Sequence, residues 1–558
     1  MTESSNARTA AQILVDQLTV QGVQHVFCVP GESYLAVLDA FHDAKIEITV
    51  ARQETGAGIM ADASARLTGR PGVFFVTRGP GAMNAAHAIH IAEHDSVPLI
   101  MFIGQVERGM RGRGAFQEMD YEKVFAPFAK WVVEINDPSR IPEIVSRAFH
   151  VAMQGRPGPV VISLPEDMLT EKASVADALR AEAIQTFPGE AAMQKLASLL
   201  DSSKRPIAIL GGGGWDETAC AQFAAFAKRY ALPVACSFRR TPLFDATHEC
   251  YAGELALATN PKLLERIKSS DLVMLIGGRL PEVPSHSYTL IDIPNPREIF
   301  VHVHADAEEL GRIYRPHLGI HATPQAFCVA LEQLAPKAAP TWAGGTAQAH
   351  ADYIAFSDFA PAMPGDVQLS QIMLWLRQRL PEDSIVTNGA GNYTIWNGRY
   401  LRMRHHRNLL APVSGSMGYG LPAAVGAKRV MPERMVLSFN GDGCFLMNGQ
   451  EFATAVQYNL PIIAIVIDNS IYGTIRMHQE REYPGRISAT QMRSPDFAAL
   501  ARGYGGHGET VEKTDEFALA FERAVASGLP ALIHVKIDCD AISPVTTLTA
   551  IREKALRA

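Results

Sequence analysis

No stretch of this 558-residue chain is apolar for long enough to cross a membrane as a helix. The longest apolar run, LPIIAIVI at 460 to 467, falls far short of the roughly 20 residues required. Basic runs are also missing. Lys and Arg number 51 against 58 Asp and Glu, for a net charge of -7, and the acidic residues are scattered rather than gathered into a tail. That balance argues against a nucleic-acid surface and favours a small soluble ligand. The seven cysteines (28, 220, 236, 250, 328, 444 and 539) include no CxxC spacing, and their number is odd. No His/Cys cluster of the zinc kind occurs, and no G-x-x-x-x-G-K-[ST] phosphate loop. The N-terminus, MTESSNARTAAQILVDQLTVQG, has no apolar core of signal-peptide length and runs into an amphipathic helix pattern. Free thiols in a reducing cytoplasm are the expectation that follows.

What is present is an ordinary globular composition, 47% hydrophobic and 20% charged, in a chain too long for one hydrophobic core. One sentence of structure recurs: apolar strand, Gly-rich turn, helix, proline, apolar strand. Residues 73 to 104 give it as VFFVTRGPGAMNAAHAIHIAEHDSVPLIMFIG, and residues 436 to 468 as VLSFNGDGCFLMNGQEFATAVQYNLPIIAIVID. A looser copy, PIAILGGGGWDETACAQFAAFAKRYALPVACSF, lies between them. Strands buried on both faces and joined by crossover helices predict an α/β chain of three doubly wound parallel sheets. Breaks in the pattern place domains at 1–185, 186–340 and 360–545. The charged, Ala-rich stretch after 169 and the Pro- and Gly-rich segment at 336 to 353 mark those breaks.

Ligands of open parallel sheets lie beyond the carboxyl ends of the strands. Four Gly-rich turns occupy such ends: Pro30-Gly31-Glu32-Ser33, Gly79-Pro80-Gly81, Gly389-Ala390-Gly391-Asn392 and Gly441-Asp442-Gly443. Asp442 and Asn469 end strands expected to be neighbours. A carboxylate and an amide oxygen facing one point make a hard oxygen set that suits Mg²⁺ and leaves room for phosphate oxygens. Glycine turns let main-chain N–H groups approach those oxygens, and a helix expected to start near residue 444 would aim its positive end at them. A diphosphate fits such a site. Cys444, next to the turn, reads either as a site residue or as a small buried apolar side chain.

These residues carry a resemblance. Gly441-Asp442-Gly443, 25 intervening residues and then Asn469 is similar to the signature of thiamine-diphosphate-dependent enzymes. The flanking GQEFATAVQYNLPI resembles the acetolactate synthase branch of that family, and RQETGAGIMADASARLTGR, VTRGPGAMN, GRGAFQEMD, GRPGPVVISLPED and SGSMGYGLPAAVGA resemble family segments in the family's order. The resemblance implies a pyrimidine-binding domain, a central Rossmann-like domain and a diphosphate-binding domain. It implies thiamine diphosphate with Mg²⁺ on Asp442, Asn469 and the carbonyl of Ile471. Contacts to that cofactor would come from Pro30, Gly31, Gly79, Asn84, Gly391, Asn392, Tyr393, Ser416, Gly441, Gly443, Cys444, Tyr472, Gly473 and Thr474. Met417 matches the bulky apolar residue that props the cofactor bent, or else fills a core gap. Glu54, which taken alone reads as an ordinary first-turn helix charge, matches the glutamate that hydrogen-bonds N1′ of the aminopyrimidine so that its 4′-nitrogen takes the proton from C2.

The resemblance further implies a site assembled from two chains, hence a homodimer or homotetramer, and a 2-oxo acid substrate. GGGGW (211 to 215), GGRL (277 to 280) and VHVHAD (301 to 306) sit where acetolactate synthases hold FAD; a bound FAD and a fold relic without a ligand both remain open there. The expected substrate end comprises Glu32, Ser33, Phe116, Gln117 and His478; Phe116 and Gln117 agree with the branch, whereas Gly31-Glu32-Ser33 and His478 depart from it. Glu32 stands where a glycine is usual, and His478 where a tryptophan favours a larger 2-oxo acid acceptor. Arg78 lies in a loop usually uncharged there. A polar or anionic substrate follows as the expectation, with surface exposure of Glu32, Arg78 and His478 as the other reading. Competing functions are a 2-hydroxyacyl thioester lyase or cyclic diketone hydrolase with the same cofactor, a silent cofactor-binding partner, and a nucleotide-binding oxidoreductase. The last leaves Glu54, Asp442 and Asn469 unexplained and lacks an acidic ribose partner at the fingerprint spacing.

Overall fold

The computed structural model describes residues 7–557, so Met1–Asn6, part of the N-terminal segment read above, lie outside the described residues. Three six-stranded sheets, every pairing in them parallel, carry the chain. The first has strands β1 (His25–Cys28), β2 (Glu47–Val50), β3 (Gly72–Val76), β4 (Leu99–Gln105), β5 (Trp131–Glu134) and β6 (Pro159–Pro165), in the order β2-β1-β3-β4-β6-β5. The second has β7 (Pro206–Leu210), β8 (Val234–Cys236), β9 (Tyr251–Glu254), β10 (Leu272–Ile276), β11 (Ile299–His304) and β12 (Leu318–His321), in the order β9-β8-β7-β10-β11-β12. The third has β13 (Ile385–Asn388), β14 (Leu409–Leu410), β15 (Val436–Gly441), β16 (Ile463–Asp468), β17 (His507–Val511) and β18 (Ala531–Lys536), in the order β14-β13-β15-β16-β18-β17.

The strands that read as continuous apolar runs are the central ones. All seven residues of β4 and all six of β16 are buried. Helices on both faces leave no polar side for alternation to mark. In the first sheet Phe75 and Phe102 stack at 4.6 Å across β3 and β4, a pairing worth about 0.5 to 1.5 kcal/mol beyond its buried area. In each sheet the strand order reverses direction beside the first strand, and the Gly-rich turns lie at the carboxyl ends.

The chain divides into two compact units. One comprises residues 1–184 with 422–432 and 450–458; the other comprises 185–421, 433–449 and 459–558. The first sheet lies in one unit and the second and third sheets in the other. The helix Glu451–Gln457, which follows the Gly-Asp-Gly turn in sequence, belongs to the first unit. Among the described residues no helix is long and apolar enough to cross a membrane, and all seven cysteines are free.

Candidate active site

In the first unit the tips of β1, β2 and β3 bring four predicted segments together. Glu54 opens the helix Glu54–Thr68 just past β2, and the Gln53 side chain caps that helix by accepting the N–H groups of Thr55 (2.6 Å) and Gly56 (3.2 Å). Asn84, on the helix Pro80–Asp95 after β3, donates from Nδ2 to Glu54 Oε2 at 2.9 Å, while the Thr55 hydroxyl donates back to the Asn84 carbonyl. Gly81 lies against the same carboxylate: a Cβ there would stand 3.4 Å from Glu54 Oε1. Thr77 joins the β1 turn to this cluster. It shares a hydrogen bond with Ser33 (2.9 Å) and presses so closely on Gly31 that a Cβ would come within 2.4 Å of its own. Gln117 packs on Gly79, whose N–H donates to the Tyr121 hydroxyl at 3.1 Å. Pro30, Glu32 and Phe116 are exposed, Phe116 by 73%.

Arg78 and Glu32 do not stand as separate charges. Arg78 donates to Glu32 (3.0 Å) and to Glu166 (2.8 Å) with only 11% of its own side chain exposed, so its cation is compensated at the rim.

In the other unit one cavity of about 240 Å³ gathers most of the remaining predicted residues. Its walls include Gly391, Asn392, Tyr393, Met417, Gly441, Asp442, Gly443, Cys444, Asn469, Ile471, Tyr472, Gly473 and Thr474. The register explains the convergence: β15 pairs with β16 with Gly441 opposite Ile467, so Asp442 and Asn469 leave adjacent strand ends. The Asn469 side-chain oxygen accepts the Ile471 N–H at 3.3 Å, and Asn392 accepts from the Thr474 hydroxyl at 2.8 Å. Cys444 fulfils both readings at once. It is buried, it lines the cavity, and its sulfur accepts the Gly418 N–H at 3.2 Å.

One expectation is corrected here. The helix after the Gly-Asp-Gly turn begins at Asp442, not near 444, and lasts only to Phe445; the next helix starts at Glu451. His478 is exposed on the helix Gly473–Glu482, and Ser416 is buried and hydrogen-bonded to Ser414 at 2.9 Å; neither is among the residues lining this cavity.

The surroundings of Asp442 left no signal in the local sequence. Its Oδ1 accepts the Gly443 N–H at 2.8 Å and its Oδ2 lies 3.2 Å from the Ser494 hydroxyl, which is 2.9 Å from Asp468. His534 Nε2 sits 2.8 Å from the other Asp468 oxygen. Burial and the neighbouring Asp468 push the Asp442 carboxyl up to about 7. For Asp468 burial acts in the same upward sense, but hydrogen bonds from His534, Asp442, Ser494 and Ser470 outweigh it and hold the carboxyl well below its usual range. A buried carboxylate that resists ionisation beside a second one is a place where a cation would be welcome.

In the second sheet the glycines serve each other. A Cβ on Gly212 would lie 1.7 Å from the Gly277 carbonyl oxygen, and Trp215 Nε1 donates to Gly211 O at 2.9 Å. His302 shares a 2.9 Å hydrogen bond with the Gly278 carbonyl, and burial pulls its pKa down to about 4. The glycine pattern is thus accounted for by close turn-to-turn packing and carries no argument for FAD.

Family comparison decides the chemistry. Three thiamine pyrophosphate enzyme models match: the N-terminal binding domain over residues 8–124, the central domain over 193–331 and the C-terminal binding domain over 389–535. This chain belongs to the thiamine pyrophosphate enzyme family. Among relatives, it is similar to the acetolactate synthase isozyme 2 large subunit of Escherichia coli K12, 30% identical over 532 residues and covering 95% of each chain. It is 31% identical over 546 residues to the acetolactate synthase large subunit of Parasynechococcus marenigrum, covering 95% of this chain and 87% of that one. A probable acetolactate synthase large subunit of Methanocaldococcus jannaschii is 30% identical over 546 residues, covering 95% and 92%. This thiamine pyrophosphate enzyme is acetolactate synthase-like, of the carboligase or transferase type. Its two binding domains carry the Glu54 cluster and the Asp442 cavity, respectively.

Proposed function

We propose that the protein is a thiamine-diphosphate- and Mg²⁺-dependent lyase or carboligase that cleaves or joins a bond next to the carbonyl of a 2-oxo acid, with a substrate pocket altered from that of acetolactate synthase. The observation that carries this reading is the convergence of Asp442, Asn469 and Ile471 with the Gly391–Tyr393 turn on one cavity. Its donor set fits the metal: one carboxylate, one amide oxygen and a backbone carbonyl are hard oxygen ligands that leave positions for phosphate oxygens.

In this reading Asp442, Asn469 and the Ile471 carbonyl hold Mg²⁺. Gly391, Asn392, Tyr393, Gly441, Gly443, Cys444, Tyr472, Gly473 and Thr474 hold the diphosphate, and Met417 with Ser416 supports the ring system. Pro30, Gly31, Gly79 and Asn84 approach from the other half-site. Thiamine diphosphate, when bound, supplies a nucleophilic C2 centre and an electron sink. The chain supplies the rest. Glu54 holds a proton at the pyrimidine N1′, Asn84 fixes its carboxylate, and the apolar walls exclude water.

Glu32, Ser33, Phe116, Gln117 and His478 form the substrate end. The Arg78–Glu32–Glu166 cluster makes its rim polar with a net negative charge. We further infer a functional division into segments 1–185, 186–340 and 360–545, a cytoplasmic location, and a homodimer or homotetramer in which the Glu54 half-site of one copy meets the Asp442 half-site of another. The test is product analysis by mass spectrometry with a panel of labelled 2-oxo acids, each alone and paired with aldehydes. Labelled carbon dioxide or a ligated product from any member supports the reading; an inert panel with cofactor and Mg²⁺ bound contradicts it.

A further inference from the structure

Glu451 is a fully buried carboxyl that the scheme above leaves unused. It opens the helix Glu451–Gln457 and points into the backbone that leads to Glu54, within the same compact unit. Its Oε1 accepts the N–H groups of Arg52 and Gln53, both at 3.0 Å. Its Oε2 accepts the Arg52 N–H at 3.2 Å and the Thr454 hydroxyl at 2.6 Å.

Other contacts tie the same two segments. The Tyr458 hydroxyl accepts the Val50 N–H at 2.9 Å, and Arg52 donates to Gln457. Gly56 is required for the approach, since a Cβ there would stand 2.5 Å from Glu451 Oε1. Where the backbone enters the helix Glu54–Thr68, the N–H groups before Glu54 are taken by Glu451 and those after it by Gln53. Glu54 itself is then anchored at its main chain from one side and at its carboxylate by Asn84 from the other.

We propose that Glu451 is the positioning residue for Glu54, fixing the first turn of its helix so that the Glu54 carboxylate is presented at one height and angle. The proposal rests on the reading of Glu54 given above. Burial pushes the Glu451 carboxyl up to about 7, and its hydrogen bonds pull against that; the group is retained in a place that disfavours its charge. Glutamine is the informative substitution. It keeps the shape, but its –NH2 group faces main-chain donors where a carboxylate oxygen accepted them.

The experiment uses the full-length protein and four forms: wild type, Glu451→Gln, Glu54→Gln and the double variant. Amide hydrogen exchange of the cofactor-free protein should show Arg52 and Gln53 exchanging faster in Glu451→Gln. With thiamine diphosphate and Mg²⁺ bound, exchange of the cofactor C2 hydrogen should slow by about tenfold or more, since displacement of a catalytic group by about 1 Å can cost 10²-fold. Affinity for the cofactor should stay within about threefold of wild type, because no contact to the diphosphate is touched. The double variant should be no slower than Glu54→Gln alone, as expected when one residue acts through another.

C2 exchange within about twofold of wild type in folded Glu451→Gln, or losses that simply add in the double variant, would overturn the proposal. If Glu451→Gln does not fold, Thr454→Val removes one donor to the same carboxylate; a smaller slowing supports the proposal and wild-type exchange overturns it. A wild-type rate in Glu54→Gln is a separate result, which removes the Glu54 reading and this inference with it.

Discussion

At the scale of single residues, two substitutions separate the two half-sites. Glu54→Gln is expected to keep the cofactor bound while C2 exchange falls by about 10² to 10⁴, the usual worth of a positioned proton-transfer group. Nuclear magnetic resonance of the quenched cofactor reads this directly, and a wild-type rate would move the role elsewhere. Asp442→Ala should lose Mg²⁺-dependent cofactor retention by more than the roughly 10 to 100-fold that loss of an outer-shell partner costs, measured by calorimetry with and without the metal.

A third residue gives a pH signature away from the site. Glu254, the last residue of β9, is partly buried, and burial lifts its carboxyl from 4.5 to about 7 against an opposing hydrogen bond from the Arg239 N–H. The folded protein therefore holds a proton that the unfolded chain has released. The stability tied to it is complete below pH 4.5 and is lost as pH rises through about 7. Glu254→Gln removes that loss, so its melting temperature relative to wild type should be higher at pH 8 than at pH 5, a swing on the order of 3 kcal/mol. An unchanged difference between the two pH values would contradict the assignment.

At the scale of elements, the turn after β13 shows what local sequence announces and what it conceals. A Cβ on Gly389 would lie 2.3 Å from Cys444 Sγ, so Gly389→Ala should destabilise by about 1 to 3 kcal/mol, and Cys444→Ala in the same chain should recover part of it. Thermal unfolding of the two variants measures both; equal melting points would refute the contact. Parallel strands, their glycine turns and the convergence of Asp442 with Asn469 were legible because each depends on a pattern within a few residues, repeated along the chain. Ser494, Asp468 and His534 were not, since their hydrogen bonds join positions 26 to 66 residues apart with no periodic signal. The helix expected to start near 444 starts at Asp442, directly on the Gly441 turn, and it stops at the turn Leu446–Gly449 rather than at a proline. His478, matched by its spacing from Asn469, lies exposed on the helix Gly473–Glu482, a placement that no local pattern announces.

At the scale of the whole molecule, the proposed sharing of a site between two copies predicts complementation between chains. Co-expressed Glu54→Gln and Asp442→Ala chains, each inactive by itself, should regain about a quarter of wild-type activity. Half of a random dimer population is mixed, and each mixed dimer has one intact site of two. No recovery in mixed dimers isolated by differential tags would place each site within one chain.

The altered substrate end is the claim on which the functional proposal turns. In the proposed pocket, Glu32 and its pairing with Arg78 would put charge where a small aliphatic acceptor needs room, and His478 in place of a tryptophan would remove an apolar wall. Loss of such a contact should cost a small aliphatic acceptor on the order of 1 to 3 kcal/mol, or roughly 10 to 200-fold in discrimination. The measurement is a steady-state assay with pyruvate alone and with pyruvate plus 2-oxobutyrate, in the presence of thiamine diphosphate and Mg²⁺. Weak condensation of pyruvate with no strong preference for 2-oxobutyrate is the expected result; efficient turnover with a strong 2-oxobutyrate preference would contradict it.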